Sequence, residues 1–231
     1  MMPVVTIDGP VGSGKGTITQ LLARQLGWHL LDSGALYRIL AHAAQQQSVA
    51  FDDPFALSEL AKSLNVSFRP SKNLGPVEVL LDGQDITADI RTETTGSNAS
   101  KISAFPEVRQ ALMDTQHAFD RPPGLIADGR DMGSVVFKDA QIKIYLDASP
   151  EERARRRHKQ LQDQGVSVKF DTLLEEIEAR DMRDKSRSVS PLIVPKDAVV
   201  VDTQGMSIEE VFQRVMKIIE EQLGSDVVRQ T

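Results

Sequence analysis

Residues 7–17, IDGPVGSGKGT, place four glycines, a lysine and two hydroxyls within eleven positions. Successive backbone N–H groups in such a loop can surround phosphate oxygens, and the N-terminus of a following helix adds a favourable dipole. Glycine lets the backbone turn and approach the anion, and Lys15 is long enough to reach the outer phosphates. The stretch therefore predicts a nucleoside triphosphate site formed by Gly9, Pro10, Val11, Gly12, Ser13, Gly14, Lys15, Gly16 and Thr17. One position departs from the general pattern. Gly16 stands where a serine or threonine directly follows the lysine, and Thr17 comes one residue later, so the hydroxyl that would meet a metal is left open. The loop by itself implies no reaction, since switches, motors and kinases share it.

Other stretches carry acids and arginines suited to the same chemistry. In LIADGRDMG (125–133) an apolar run ends on Asp128, where magnesium is held through water in sites of this kind, and Arg130 and Asp131 lie just beyond. In DSGALYR (32–38) Ser33 and Arg38 follow another apolar run, but taken alone that stretch is better explained as a plain helix cap by Asp32 or Ser33 with Arg38 solvated. EERARRR (151–157) and RDMRDKSR (180–187) concentrate positive charge. Arg180, Arg183 and Arg187 fall at i, i+3 and i+7, which predicts one helix face with Asp184 beside it. Such a face could be a mobile arginine lid over phosphates, or a solvated surface laced with Glu and Asp. His29, His42, His117 and His158 show no metal-ligand spacing, and no Ser-His-Asp arrangement is visible.

These groups need a scaffold, and the apolar pattern supplies one. Short β-branched or apolar runs at Pro3–Ile7, Trp28–Leu31, 124–131, 142–147 and 198–202 read as buried strands. Helical patterns occupy Lys15–Leu26, Ala35–Gln46, Pro54–Leu64, Ala104–Phe119, Pro150–Gln164, Asp171–Arg187 and Ser207–Leu223. The last carries a Ser207/Glu210 capping box and an apolar face of Ile208, Val211, Phe212, Val215, Met216, Ile219 and Leu223. Strands separated by helices imply an α/β fold, a parallel sheet with helices on both faces, and ligands at the carboxyl ends of the strands. Alternating segments between Val66 and Thr87, broken by RPSKNLGP and followed by the polar RTETTGSNASKIS, read as an insert at 63–100 in a single domain spanning 1–231.

Composition narrows the function class. The 231 residues, 40% hydrophobic and 26% charged, suffice for one packed domain. A net charge of -6 argues against a nucleic-acid polymer as partner but not against a local anion pocket. The chain has no cysteine, which removes disulfides, thiolate metal sites and cysteine nucleophiles. MMPVVTIDG lacks the basic start and long apolar run of a signal peptide, and no run approaches a membrane span, so a cytoplasmic protein without membrane contact is expected; a monomer is expected as well.

Taken together, GPVGSGKGT, DSGALYR, RTETTGSNASKISAFPEVR, GLIADGRDMG and RDMRDKSR resemble, in order and spacing, the bacterial-type cytidylate kinases among the nucleoside monophosphate kinases. The glycine loop is shared with adenylate kinases; DSGALYR with DGRDMG and the insert is more specific. The resemblance implies a three-layer P-loop kinase fold, a five-stranded parallel sheet, a monophosphate-binding insert and an arginine-rich lid at 150–190. It implies transfer of the ATP γ-phosphate to CMP or dCMP with magnesium. By position, Ser33, Arg38, Arg130 and Arg187 match residues that hold the acceptor's phosphate. Ser100, Arg109 and Asp131 match those that read cytosine, and Arg180 and Asp184 those that meet the sugar. Lys15, Arg130, Arg187 and Asp128 are the expected catalytic groups, with Thr17 and Asp128 toward magnesium, Asp128 through water. A kinase for another small acceptor, such as a different monophosphate or shikimate, is the alternative enzyme. A guanine-nucleotide switch would require an Asn-Lys-x-Asp motif, which the chain lacks.

Overall fold

The structure is a computed structural model that describes residues 2–72, 75–163, 165–187 and 189–224. Its centre is strand β1, Val4–Asp8, in which all five residues are buried. β-branched residues on both faces suit a strand covered by helices on each side. The chain leaves β1 through the glycine loop into helix α1, Lys15–Leu26, and returns as β2, His29–Asp32. Helix α2, Ser33–Gln46, starts on Asp32, whose carboxylate accepts from the Ala35 N–H at 2.9 Å. Helix α3 spans Pro54–Lys62.

A small antiparallel sheet follows, made of β3, Val66–Arg69, β4, Glu78–Leu81, and β5, Gln84–Asp85. A tight turn at Asp89–Arg91 leads into α4, Glu93–Ile102, and then α5, Pro106–His117. The polar RTETTGSNASKIS segment is thus mostly helix. Thr92 caps it through the Thr95 N–H, and only Thr95, Ala99 and Ile102 are buried, spaced four and three apart. Residues 73–74, inside the RPSKNLGP turn, lie outside the described residues.

Strand β6, Leu125–Gly129, is followed by a π-type turn at Met132–Val136 and then β7, Ile142–Asp147. Helices α6, Pro150–Asp163, and α7, Phe170–Ser186, pack on each other; Gln164, the expected end of the first, lies outside the described residues. Strand β8, Val199–Asp202, and helix α8, Ile208–Leu223, complete the chain. The predicted capping box closes α8, with Ser207 and Glu210 satisfying each other's backbone N–H. Ile208 departs from the expected apolar face: as the first helical residue it stands 56% exposed.

The main sheet has the order β2-β6-β1-β7-β8 with every pairing parallel. Helices α1 and α8 pack together against it, and α2, α3, α4 and α5 form a second body of helices. Register brings the acids to one edge. Asp32 stands opposite Asp128, Asp8 opposite Gly129, and Asp147 opposite Asp202. The fold is the expected three-layer α/β arrangement, and in sheets of this kind ligands gather at the carboxyl edge.

Candidate active site

The glycine loop joins β1 to α1 at the middle of that edge. Gly9 has a φ of 149°, and a β-carbon on it would sit 2.2 Å from the Leu146 carbonyl oxygen, so only glycine lets the loop cross β7 there. Gly12 and Gly14 take φ values of 79° and 92°, the left-handed region that turns the loop back into the helix. Thr17 and Ile18 donate their N–H groups to the Gly14 carbonyl at 3.1 and 3.2 Å, while the N–H groups of Lys15 and Gly16, ahead of them, precede any intrahelical acceptor, the arrangement that lets a helix start receive an anion. The Ser13 hydroxyl, 1% exposed, has no hydrogen-bond partner among the described residues, a state it shares with the buried hydroxyls of Thr6, Thr19 and Ser134.

Lys15 folds its ammonium onto the Pro10 carbonyl at 2.8 Å. Burial pulls it below the usual lysine value; the Asp128 carboxylate opposes that shift and the Arg130 guanidinium reinforces it. Asp128, at the end of β6, is raised by the same burial, with the Lys15 charge opposing. Its carboxylate lies 3.4 Å from where a Gly16 β-carbon would be, so the missing side chain keeps the acid beside the first turn of α1. Thr17 is on that turn, half-buried.

The arginines expected to bind the acceptor come from α2, the end of β6 and α7. Arg38, on α2, donates to the Ile90 carbonyl at 2.9 Å and lies against Gly96 of α4. Arg130 extends from the end of β6 to Asp184, near the end of α7, and Arg187 reaches the same carboxylate at 2.7 Å. Arg180 is pulled down to about 10, mainly by burial and next by Arg130, with Arg38 and Arg187 adding to the repulsion. Arg38 and Arg187 are lowered too, burial first in each case. Arg130 acts on every member of this group, Lys15 included. Each cation raises the cost of its neighbours, a cost that a polyanion in their midst would relieve.

The expected base-reading groups are assembled in part. Arg109 and Asp131 form a buried ion pair, with Arg109 over the Tyr37 ring at 5.6 Å. Ser100 is exposed on α4, while Ser33 donates its hydroxyl to Gln116 at 2.8 Å. The single face of Arg180, Arg183 and Arg187 does not form. Helix α7 stops at Ser186, Arg187 takes a non-helical ψ of 133° to reach Asp184, and Arg183 is exposed.

Three supports escaped the sequence reading. Asp8, fully buried, accepts from the Met132 and Gly133 N–H groups, both at 2.8 Å, and so fixes the backbone just past Asp131. Its place before the loop was the only signal. Gln20 on α1 accepts from the Ser71 N–H at 2.8 Å and donates to the Gly75 carbonyl at 3.0 Å, tying the antiparallel segment to the phosphate loop's helix. Arg153 in EERARRR is 2% exposed, whereas Arg155 and Arg157 are exposed, a difference that charge density cannot reveal.

Comparison with known proteins agrees in one direction. The family model for cytidylate kinase matches residues 5–221. A cytidylate kinase from Aeromonas salmonicida (strain A449) is 57% identical over 224 residues, covering 97% of this chain and 96% of that protein. One from Shewanella putrefaciens (strain CN-32 / ATCC BAA-453) is 54% identical over 223 residues, covering 96% and 97%. One from Proteus mirabilis (strain HI4320) is 53% identical over 214 residues, covering 93% and 94%. Among solved structures, an uncharacterized protein from Eubacterium ventriosum superposes with a TM-score of 0.51 at 11% identity, covering 95% of this chain and 99% of that one, a likeness of fold.

Proposed function

Since this chain belongs to the cytidylate kinase family, whose members move the γ-phosphate of ATP to CMP or dCMP, we propose that the cationic cluster at the sheet's carboxyl edge is where it performs that transfer. The observation that carries the proposal is the meeting of Arg130 and Arg187 on Asp184 at the sheet edge where the phosphate loop leaves β1, with the charges of Lys15, Arg38 and Arg180 acting on the same group. Gly9–Thr17 holds the triphosphate through backbone N–H groups and Lys15. Arg38, Arg130 and Arg187 hold the monophosphate, and Arg180 and Asp184 lie toward the sugar. Asp131 accepts from the cytosine amino group, and Arg109 donates to the ring and carbonyl acceptors. Ser33 joins the acceptor set by releasing Gln116, and Ser100 joins it from its exposed place on α4.

Phosphoryl transfer asks little covalent chemistry of the protein. It requires in-line placement and compensation of charge spread over the transferring oxygens. The acceptor phosphate is largely ionised near neutral pH, with a second pKa of about 6, so it attacks without a protein base. Lys15, Arg130 and Arg187 supply positive charge at the migrating group, where water is excluded and each charge counts for more.

Magnesium suits the residues present. An ion carried mainly by phosphate and water oxygens needs only one or two oxygen donors from the protein. Asp128, through water, and Thr17 offer the hard oxygen donors. Bound there, the ion neutralises phosphate charge. Chelating magnesium is expected to abolish turnover while leaving the melting midpoint of the nucleotide-free chain unchanged; a lowered midpoint would reveal a protein-held structural ion instead.

A cytoplasmic monomer is part of the same proposal. One chain supplies every group named above, and no described helix is long and apolar enough to cross a membrane. Light scattering tests the monomer. The assignment of the donor loop is tested by Lys15→Ala, which should lower kcat by about 100-fold or more with little change in melting midpoint. Turnover near the native rate would remove Lys15 from the site.

A further inference from the structure

Helix α7 carries two buried aspartates one turn apart, Asp181 and Asp184, 8% and 1% exposed. Residues three apart share a helix face. The two are tied in different directions. Asp184 takes Arg130 and Arg187, both assigned to the acceptor phosphate. Asp181 takes both terminal nitrogens of Arg153, with Nη1 at 3.0 Å from Oδ1. Arg153 directs its remaining donors to backbone: Nε to the Ala148 carbonyl at 3.0 Å, and Nη1 to the Val11 carbonyl, also at 3.0 Å. Val11 is inside the glycine loop. The next residue, Gly12, lies on the Arg153 stem, where a β-carbon would come within 3.2 Å of Arg153 Cβ.

A planar guanidinium suits this fourfold contact, and its charge stays buried only with a carboxylate opposite. Asp181 and Arg153 therefore move together, and Arg153 moves with the Val11 carbonyl. We propose that the Arg153–Asp181 pair positions the phosphate loop from helix α7, so that donor loop and acceptor arginines are set by one element. Neither residue touches a nucleotide; both act through Val11 and through the helix that carries Arg180 and Asp184. The inference rests on the donor and acceptor assignments given above.

Two variants separate positioning from simple support of the fold. Asp181→Asn keeps the shape and an acceptor but removes the charge; Arg153→Lys keeps the charge but removes the fork. Steady-state kinetics with ATP and CMP each varied, on folded protein well below its melting midpoint, should show kcat/KM for ATP reduced by about 10- to 100-fold in each. A loss in kcat/KM for CMP should accompany it. A lowered melting midpoint with native kcat and both KM values in folded Asp181→Asn would overturn the proposal. So would a defect confined to CMP, because the link to Val11 would then carry nothing. Should Arg153→Lys fail to fold, Asp181→Asn decides alone. Failure of the underlying reading looks different: the native chain would not move phosphate from ATP to CMP.

Discussion

Arg130 and Arg187 share the carboxylate of Asp184, so the acceptor arginines are held in place before any phosphate arrives. Removing Arg187 leaves Asp184 paired with Arg130, which limits the damage to the fold. Arg187→Ala is therefore expected to lower kcat/KM for CMP by about 100-fold or more while shifting the melting midpoint little. Native activity with a depressed midpoint would instead make Arg187 a structural ion-pair partner. At the base site, Asp131→Asn replaces one acceptor oxygen with a donor. Discrimination between CMP and UMP should fall by at least about tenfold, with KM for ATP nearly unchanged. Unaltered discrimination would remove Asp131 from base reading. Asp8 adds a pH dependence. Burial pushes its carboxyl from 3.8 up to about 7, Asp131 adds repulsion, and the Met132 and Gly133 N–H groups oppose the shift. Between those values the unfolded chain has lost a proton that the folded chain keeps. The contribution of Asp8 is thus complete below about pH 4 and is lost as pH rises through about 7. From about pH 5 to pH 8 the melting midpoint of the native chain should fall more steeply than that of Asp8→Asn; equal slopes would contradict the shift.

The elements that set these residues differ in how plainly the sequence announces them. All five strands of the main sheet were readable, because continuous apolar runs ending on Asp or Gly have few other uses in an α/β chain. The glycine loop was readable because its spacing is dictated by the anion. Helix α4 was not: its core contacts are only Thr95, Ala99 and Ile102, too sparse and too polar to give a period. The end of α7 was read to within one residue, Ser186 against Arg187, but the turn of Arg187 out of the helix onto Asp184 was not. Burial of Arg153 was hidden because a charged run looks the same whether one of its members faces water or a phosphate loop. At this scale the close crossing of Gly9 over β7 gives a sharp expectation. Gly9→Ala must push the loop off the Leu146 carbonyl, 2.2 Å from the new carbon, and should destabilise the fold by roughly 2 kcal/mol or more as well as weaken ATP binding. A thermal melt and an ATP titration check it; native values in both would mean that the loop does not need that approach.

Across the whole molecule, a chain of net charge -6 gathers Lys15 and four arginines at one edge of its sheet. The acids that end the strands keep that edge from being uniformly positive and orient the cations they touch. Gln20 ties the antiparallel segment to α1, and Asp8 ties β1 to the turn after Asp131, so donor and acceptor halves are braced against each other. This construction suits two nucleotides meeting phosphate to phosphate, with the acceptor chosen, on the proposed reading, at the Arg109–Asp131 pair. The most direct test is ADP release from ATP measured across CMP, dCMP, UMP, AMP, GMP and shikimate. The account predicts the highest kcat/KM with CMP or dCMP and negligible release without an acceptor. A faster reaction with any other acceptor, or release that ignores the acceptor, would contradict it.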